Sequence, residues 1–335
     1  MNRMQWIKND LLNRVHSLVL IICMALILGL TGWLIGGVFL AVLAVSLTFS
    51  LYFIDPLVSP SFIARMHRGR PLHYHEAARL FQVLEELSHR AGLRVLPRLY
   101  YIPGDGMNAF AAGTDENSII TISEGLTGRL SLREIASILA HEISHLRHND
   151  MRILSSANMI TQLTNQLSFL GQFLLIFNLP MILLGGYTIS WTAILLLIMA
   201  PSMNVLLQLG LSRTREYRAD LGAAELTGDP ESLVSALSKI ERYQSRYFRW
   251  MFWPPYQRIP EGAFLRTHPP TEKRIEKLLE IRDRGEPADQ SITGYPHQTV
   301  LRERRARLWN SPSWNKTLTL QKPEGFRAKA SRVKL

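Results

Sequence analysis

The stretch ILAHEISHLRHND, residues 138–150, contains the spacing H-E-x-x-H. On an α-helix, residues four apart lie on one face, so His141 and His145 can direct ring nitrogens at one metal ion. Glu142 follows the first histidine and can reach a water molecule at that metal. The stretch therefore predicts a zinc helix on which Glu142 is the general base of a hydrolase.

The helix that carries this motif has a predicted start. Ser131, followed three residues later by Glu134, is a capping-box pattern. The plain alternative is an amphipathic helix with two solvated histidines. Apolar residues argue against it, because they would bury the helix in a core and leave the His–Glu face at a cleft; they are Ile135, Ile138, Leu139 and Ile143.

A catalytic zinc site takes a third protein ligand. One known source is a histidine six residues after the second, but Met151 occupies that position. The next charged cluster, LSRTREYRADLGAAELTG, places Glu216 and Asp220 on one helix face. We predict that Glu216 binds the zinc and that Asp220 holds a ligating histidine through its other ring nitrogen. The alternative for this pair is a solvated charged helix.

Two long stretches contain no Asp, Glu, Lys or Arg, residues 15–54 and residues 153–212. A bilayer-spanning helix needs about 20 apolar residues, so each stretch has room for two. Glycines lie near the middle of both, in GLTGWLIGG (29–37) and at 185–186. We predict four transmembrane helices in two hairpins. A cleaved signal peptide and buried core helices are the alternatives, and the length and doubling of the runs argue against both.

Basic residues flank both predicted hairpins on one side only, and neither tip carries Lys or Arg. Such flanks face the cytoplasm. The N-terminus, the catalytic part and the C-terminus should therefore all be cytoplasmic. The flanking residues are Arg3, Lys8, Arg14, Arg65, Arg68 and Arg70 around the first hairpin, and Arg147, Arg152, Arg213, Arg215 and Arg218 around the second.

These patterns divide the chain into six segments. A cytoplasmic N-terminus and a membrane hairpin precede the first catalytic part, and a second hairpin separates that part from the second. A basic tail follows. In chain order the predicted segments are 1–14, 15–54, 55–152, 153–212, 213–285 and 286–335.

The net charge of +11 is concentrated at the C-terminus, where residues 301–335 hold ten Lys or Arg against two Asp or Glu. A solvated tail or a contact with anionic lipid explains this charge. We find no nucleic-acid recognition motif, so charge alone does not indicate nucleic-acid binding. The single cysteine, Cys23, excludes an intrachain disulfide.

The chain resembles the HtpX-type membrane zinc metallopeptidases, which are relatives of the CAAX prenyl-protein endopeptidases. The resemblance rests on MNAFAAG, LAHEISHLRHND, REYRAD and THPPTEKRI in that order, and it covers most of residues 1–280. It implies an α+β, mostly helical fold of the gluzincin type, with a small β-sheet beside the zinc helix and one Zn²⁺ per chain.

The resemblance also implies further site residues. Within MNAFAAG, a strand beside the cleft would bind an extended peptide through Asn108, Ala109, Phe110 and Ala111. Without the family, this segment is a plain hairpin. Within THPPTEKRI, His268 and Arg274 would lie near the cleft, where a donor stabilises the oxyanion. Arg274 has the alternative of pairing with a carboxylate.

The function implied is a zinc endopeptidase of the inner membrane that cleaves misfolded or damaged membrane proteins at cytoplasmic segments, with self-cleavage and a role in the stress response. The alternatives are a CAAX-type processing protease and an inactive zinc-binding membrane scaffold. Charged residues around the motif argue against an intramembrane protease, and charge-free spans argue against a transporter. The partners expected are protein substrates and the lipid bilayer, and the sequence does not indicate an oligomeric state.

Overall fold

The computed structural model describes residues 3–53, 59–114, 116–177, 179–180, 184, 191–251 and 271–283. Helices dominate this part of the chain, and one small sheet accompanies them. The helices are α1 Arg3–Phe53, α2 Pro60–Met66, α3 Ala78–Ala91, α4 Glu124–Thr127, α5 Leu132–Arg147, α6 Asp150–Phe177, α7 Trp191–Thr227, α8 Pro230–Met251 and α9 Thr271–Asp283. The strands are β1 Arg70–Pro71, β2 Arg98–Ile102, β3 Ala109–Gly113 and β4 Ser118–Ser123.

The sheet is mixed and has the order β1-β2-β4-β3. Strand β4 pairs in parallel with β2 and antiparallel with β3, where Ala111 lies opposite Ile120. Every residue of β4 is buried, as expected for a central strand covered on both faces. The order leaves β3 at one edge, beside helix α5.

Helix α5 crosses the hydrophobic core of the catalytic part. Its Ile135, Leu139 and Ile143 are fully buried, together with Leu84 of α3 and Ile120 of β4. The apolar positions predicted to bury this helix therefore do so. The predicted α+β, mostly helical class is confirmed at this level.

The first charge-free stretch folds back on itself within α1. Gly36 and Gly37 leave helical geometry, and Gly37 has φ +65°, a left-handed conformation that favours glycine. A Cβ placed on Gly32 would lie 3.1 Å from Cα of Ala41. Residues nine apart in a straight helix are about 13 Å apart, so the two arms are antiparallel neighbours.

The second charge-free stretch supplies α6 and most of α7, which pack against each other and against α1. Two hydrogen bonds cross their otherwise apolar contact: Asn204 Nδ2 donates to Thr164 Oγ1 at 2.6 Å, and Thr161 Oγ1 donates to Gln208 at 2.8 Å. Buried interhelical hydrogen bonds of this kind join helices in lipid. The glycines at 185–186, where a turn was predicted, lie outside the described residues.

Two segments of the described chain are long and apolar enough to cross a bilayer, Val15–Ser50 and Thr192–Thr227. The first contains the glycine reversal. The prediction of membrane helices is confirmed at this coarser level, and the number four stays a prediction. Helices run without interruption through the predicted segment boundaries at 14/15, 152/153 and 212/213.

Candidate metal centre and active site

Helix α5 is fixed at its start by a capping box. Ser131 Oγ accepts from the backbone N–H of Glu134, and the Ser131 N–H donates to Glu134 Oε2 at 2.8 Å. The Glu134 carboxylate also accepts from Ser235 Oγ at 2.6 Å and from Lys239 Nζ at 2.8 Å, both on α8. The cap predicted from sequence thus also joins two helices, which sets the axial position of the histidines.

Two turns further along α5, the Nε2 atoms of His141 and His145 are 3.2 Å apart. Glu216 approaches from α7, with one carboxylate oxygen 3.5 Å from His141 Nε2 and the other 3.6 Å from His145 Nε2. All three side chains are buried, and their donor atoms lie within 4.8 Å of one another. The three residues predicted as ligands are therefore brought together.

Two carboxylates orient the imidazole rings by contacting Nδ1, the ring nitrogen that faces away from Glu216. His141 Nδ1 lies 3.0 Å from Asp220 Oδ1, and His145 Nδ1 lies 2.9 Å from Asp150 Oδ2. A ring that donates from Nδ1 carries the lone pair on Nε2. Both lone pairs then point at the same spot beside Glu216.

This donor set fits a divalent cation. Two imidazole nitrogens with lone pairs facing each other at 3.2 Å repel unless a cation or a proton lies between them. Ligands about 2.0–2.1 Å from a tetrahedral Zn²⁺ lie about 3.3 Å apart, close to the distances among His141, His145 and Glu216. Two imidazoles and one carboxylate are also a ligand set that suits zinc.

The electrostatic field at the rings favours positive charge. Burial lowers the pKa of His141, but the nearby carboxylates of Asp220 and Glu216 outweigh burial and raise the pKa to about 10. Burial also lowers the pKa of His145, and the contact with Asp150 outweighs it, so that this pKa is raised as well. The carboxylates that hold a proton on these rings would also stabilise a bound cation.

Arg274 of α9 completes the network. Its Nε and Nη2 donate to the two oxygens of Asp220 at 2.8 and 2.6 Å, and Nη1 lies 3.3 Å from Glu216 Oε2. Such a two-pronged pair fixes a carboxylate in position as well as in charge. The geometry matches the alternative considered for Arg274, pairing with a carboxylate.

The candidate base is held by the edge strand. Glu142 Oε2 accepts from the backbone N–H of Ala111 at 2.8 Å. The Ser123 N–H donates to the carbonyl of Asn108, which places 108 and 123 in a hydrogen-bonded pair. Since such pairs alternate along antiparallel strands, the backbone groups of 109 and 111 point away from β4 and toward the cleft.

A glycine sets the distance between the two ligand helices. A Cβ on Gly222 of α7 would collide with the side chain of Ser144 on α5. Ser144 lies on α5 between His141 and His145, and Gly222 lies on α7 between Asp220 and the end of the helix. Only a glycine allows the helices to come this close, and this approach brings Glu216 within reach of the histidines.

Sequence reasoning missed two residues of the network. Asp150, fully buried, accepts from Arg215 Nη1 at 2.9 Å as well as contacting His145. Its position just after the helix, five residues from His145, gave no periodic signal. The sequence around Arg215 indicates only a charge that flanks a membrane segment. His268 lies outside the described residues, and Asn108 lies just before β3.

Comparisons with known proteins agree with this geometry. The sequence profile of peptidase family M48 matches residues 74–282. A protease HtpX homolog of Campylobacter hominis is 31% identical over 286 residues, covering 81% of this chain and 99% of that protein. One from Thermococcus kodakarensis is 31% identical over 284 residues, covering 78% and 94%.

A more distant likeness is structural. The crystal structure of S. mikatae Ste24p aligns with 81% of this chain and 66% of its own length, at 20% sequence identity and a TM-score of 0.40.

Proposed function

The chain belongs to peptidase family M48 and is a metalloprotease, and we propose that its active site is formed by His141, Glu142, His145 and Glu216. The observation that carries this proposal is the convergence of two imidazole nitrogens and one carboxylate beside Glu142. We further propose that the metal is one Zn²⁺ per chain. A purely structural site would have no use for a carboxylate placed like that of Glu142.

When bound, the metal would supply a Lewis acid that polarises the scissile carbonyl and acidifies the attacking water. Glu142 would accept the proton of that water and return it to the leaving nitrogen. The hydrogen bond from Ala111 keeps one carboxylate oxygen at the strand edge, which supports this role. Asp220 and Asp150 would keep each ring in the tautomer that offers Nε2.

The substrate would bind as an added strand along β3. The outward-facing backbone groups of residue 109 and the carbonyl of residue 111 suit an extended peptide, as in other cases of edge-strand recognition, whereas the Ala111 N–H is already bonded to Glu142. We propose that Asn108, Ala109, Phe110 and Ala111 form this edge. For the oxyanion we propose His268. The contacts of Arg274 with Asp220 and Glu216 support a role in holding these carboxylates.

We propose that the two charge-free stretches form four spans in the cytoplasmic membrane of the cell, with the active site on the cytoplasmic side. The reversal at Gly36 and Gly37 supports two arms in the first stretch. The basic flanks support the orientation. Because α5 leads into the second hairpin and the end of α7 leaves it, the metal centre would lie close to the bilayer surface.

This placement suits substrates that are themselves in the membrane. We propose that the protease cleaves misfolded or damaged membrane proteins at cytoplasmic segments, since these can reach a site at the surface. We propose that the segments of the chain have the roles predicted for them: one hairpin before the catalytic part, a second hairpin that interrupts it, and a basic tail after it.

The test compares the wild type with Glu142→Gln, both purified in detergent with a chelator and then given zinc. We expect both proteins to bind one zinc per chain and only the wild type to cleave itself and an unfolded protein substrate. Glu85→Gln is the matched control, because Glu85 is an exposed glutamate on α3, and it should behave like the wild type.

Two outcomes would contradict the proposal. If neither protein binds zinc, the metal centre is wrongly assigned. If Glu142→Gln binds zinc and still cleaves at the wild-type rate, Glu142 is not the base.

A further inference from the structure

A cavity of about 560 Å³ lies between the membrane helices and the catalytic part. Both arms of α1, the start of α6 and the end of α5 line it. Its volume falls in the range of about 300–1,000 Å³ typical of ligand-binding cavities. One end of the cavity is apolar and is lined by Leu18, Ile21, Ala25, Leu28, Val45 and Ile160.

The opposite end of the cavity is basic. Arg147, Arg215 and Arg218 line it together with His148. Arg215 is held by Asp150, whereas Arg147 lies 3.6 Å from Glu225 in a looser pair. Burial, and after it the charge of Arg218, lowers the pKa of His148 to about 4, which keeps this ring neutral. An anion is the ligand that this end would attract.

The two ends lie at different depths along the proposed spans. The arginines adjoin the charge-free stretch at 153–212, on its cytoplasmic flanks, whereas the apolar wall lies within the hairpins. A ligand that fills the cavity must therefore be anionic at the bilayer surface and apolar below it. Basic pockets between membrane helices at this level bind phosphate headgroups.

We propose that this cavity binds a phospholipid of net negative charge, with the phosphate at Arg147 and Arg218 and an acyl chain along the apolar wall. The inference rests on the proposed membrane placement and is independent of the proposed chemistry. The proposed lipid site is linked to the metal centre through two side chains. Arg215 lines the cavity and binds Asp150, and Asp150 in turn orients His145.

The test uses the full chain carrying Glu142→Gln, so that self-cleavage does not interfere. The protein is taken from vesicles of phosphatidylglycerol and phosphatidylcholine with identical acyl chains, and retained lipid is measured by native mass spectrometry. We expect one phosphatidylglycerol per chain, retained about 25-fold over phosphatidylcholine, because each of the two arginines at the phosphate contributes about fivefold. Millimolar inorganic phosphate should not displace it, because phosphate lacks the acyl chain.

Paired variants locate the site. Arg218→Gln and Arg147→Gln should each lower the preference for phosphatidylglycerol about fivefold. Arg213→Gln should not, because Arg213 is exposed on the same helix and outside the cavity. Ala25→Trp should abolish retention of either lipid by filling the apolar end. Leu26→Trp, at a neighbouring side chain that is 66% exposed, should retain lipid normally.

The results that overturn the inference are distinct from those that overturn the proposed function. Equal retention of both lipids, displacement by inorganic phosphate, or equal behaviour of Ala25→Trp and Leu26→Trp would remove the lipid site. Retention of an unfolded polypeptide in place of lipid would do the same. A wild type that cleaves substrate but selects no lipid contradicts only this inference, and one that selects lipid but binds no zinc contradicts only the metalloprotease site.

Discussion

The two halves of helix α7 differ in what they expose. In the first half Leu195 is 60% exposed and Leu206 is 68% exposed, whereas in the second half Glu216 and Asp220 are 4% and 3% exposed. One unbroken helix therefore presents apolar side chains outward and then buries charged ones. In water alone, the exposed apolar side chains and the buried charged side chains would both be unfavourable. The two halves are therefore stabilised in different ways, the first by an apolar solvent and the second by paired charges.

The largest expected effect comes from removing the guanidinium of Arg274, which pairs with the buried carboxylates of Asp220 and Glu216. Arg274→Leu should destabilise the metal-free protein by about 3–5 kcal/mol, because Asp220 and Glu216 would stay buried without it. With zinc present the loss should be smaller, since a bound cation compensates Glu216. Thermal unfolding with and without zinc measures both values. Equal losses in the two conditions would contradict a metal site at Glu216.

A charge placed in the first half of α7 tests whether that half faces lipid. Met203 is 49% exposed near the middle of that half, and Met203→Asp should cost about 2.5–3.5 kcal/mol if this surface faces lipid. Unfolding in bicelles measures the cost. Arg213→Asp, at an exposed position beyond the apolar half, is the matched control and should cost far less. Similar costs at the two positions would mean that the first half faces water.

Weakening the carboxylate behind one ring should lower the affinity for the metal. Asp220→Asn keeps the size of the side chain and should lower zinc affinity about 10–100-fold. Competition with a chelator of known affinity measures the change. Glu225→Gln, on the same helix but remote from the rings, should leave the affinity unchanged. Unaltered affinity in Asp220→Asn would show that His141 needs no partner at Nδ1.

The ion pair between Glu134 and Lys239 has a smaller expected effect on stability, and this effect depends on pH. Burial raises the pKa of Glu134, but Lys239 and Ser235 outweigh it, so the folded-state pKa is lowered from 4.5. The pair therefore contributes stability above pH 4.5 and loses it as the pH falls through the folded-state pKa. Glu134→Gln should cost about 0.5–1 kcal/mol at pH 7. Unfolding curves of the two proteins should converge in acid, and a constant gap would contradict this role.

The smallest effect is expected within the helical bundle. Asn204→Leu removes the hydrogen bond to Thr164 and should cost about 0.6 kcal/mol, the average for such bonds between membrane helices. Unfolding in bicelles resolves a difference of this size when Leu206→Ile, on the exposed side, serves as the control. A loss several times larger would mean that these polar contacts hold the bundle together.

Much of this comparison could be read from the sequence, because each half of α7 obeys a local rule. A charge-free run indicates lipid, and the spacing of Glu216 and Asp220 indicates one helix face. The spacing of His141 and His145 likewise predicted which atoms would converge. These signals depend on neighbours within a few residues, which sequence displays directly.

The rest depends on contacts between distant residues. Nothing near Asp150 shows that it will meet both His145 and Arg215, because the second contact spans 65 residues. The same holds for Gly222, whose role appears only once α5 lies against it. That the third ligand lies on the same helix as a membrane arm was also missed, since the charge boundary at 212/213 suggested a break that the backbone does not make.

The position of the second hairpin within the chain has a consequence for biosynthesis. His141 and His145 precede the hairpin, and Glu216 follows it on the helix that leaves the membrane. A chain still being made has two of the three donors until the whole hairpin has been synthesised and has folded back. With the proposed hairpin and ligands, synthesis order would delay assembly of the metal centre until the membrane part exists, so that a half-finished chain would lack a complete site with which to cut its neighbours.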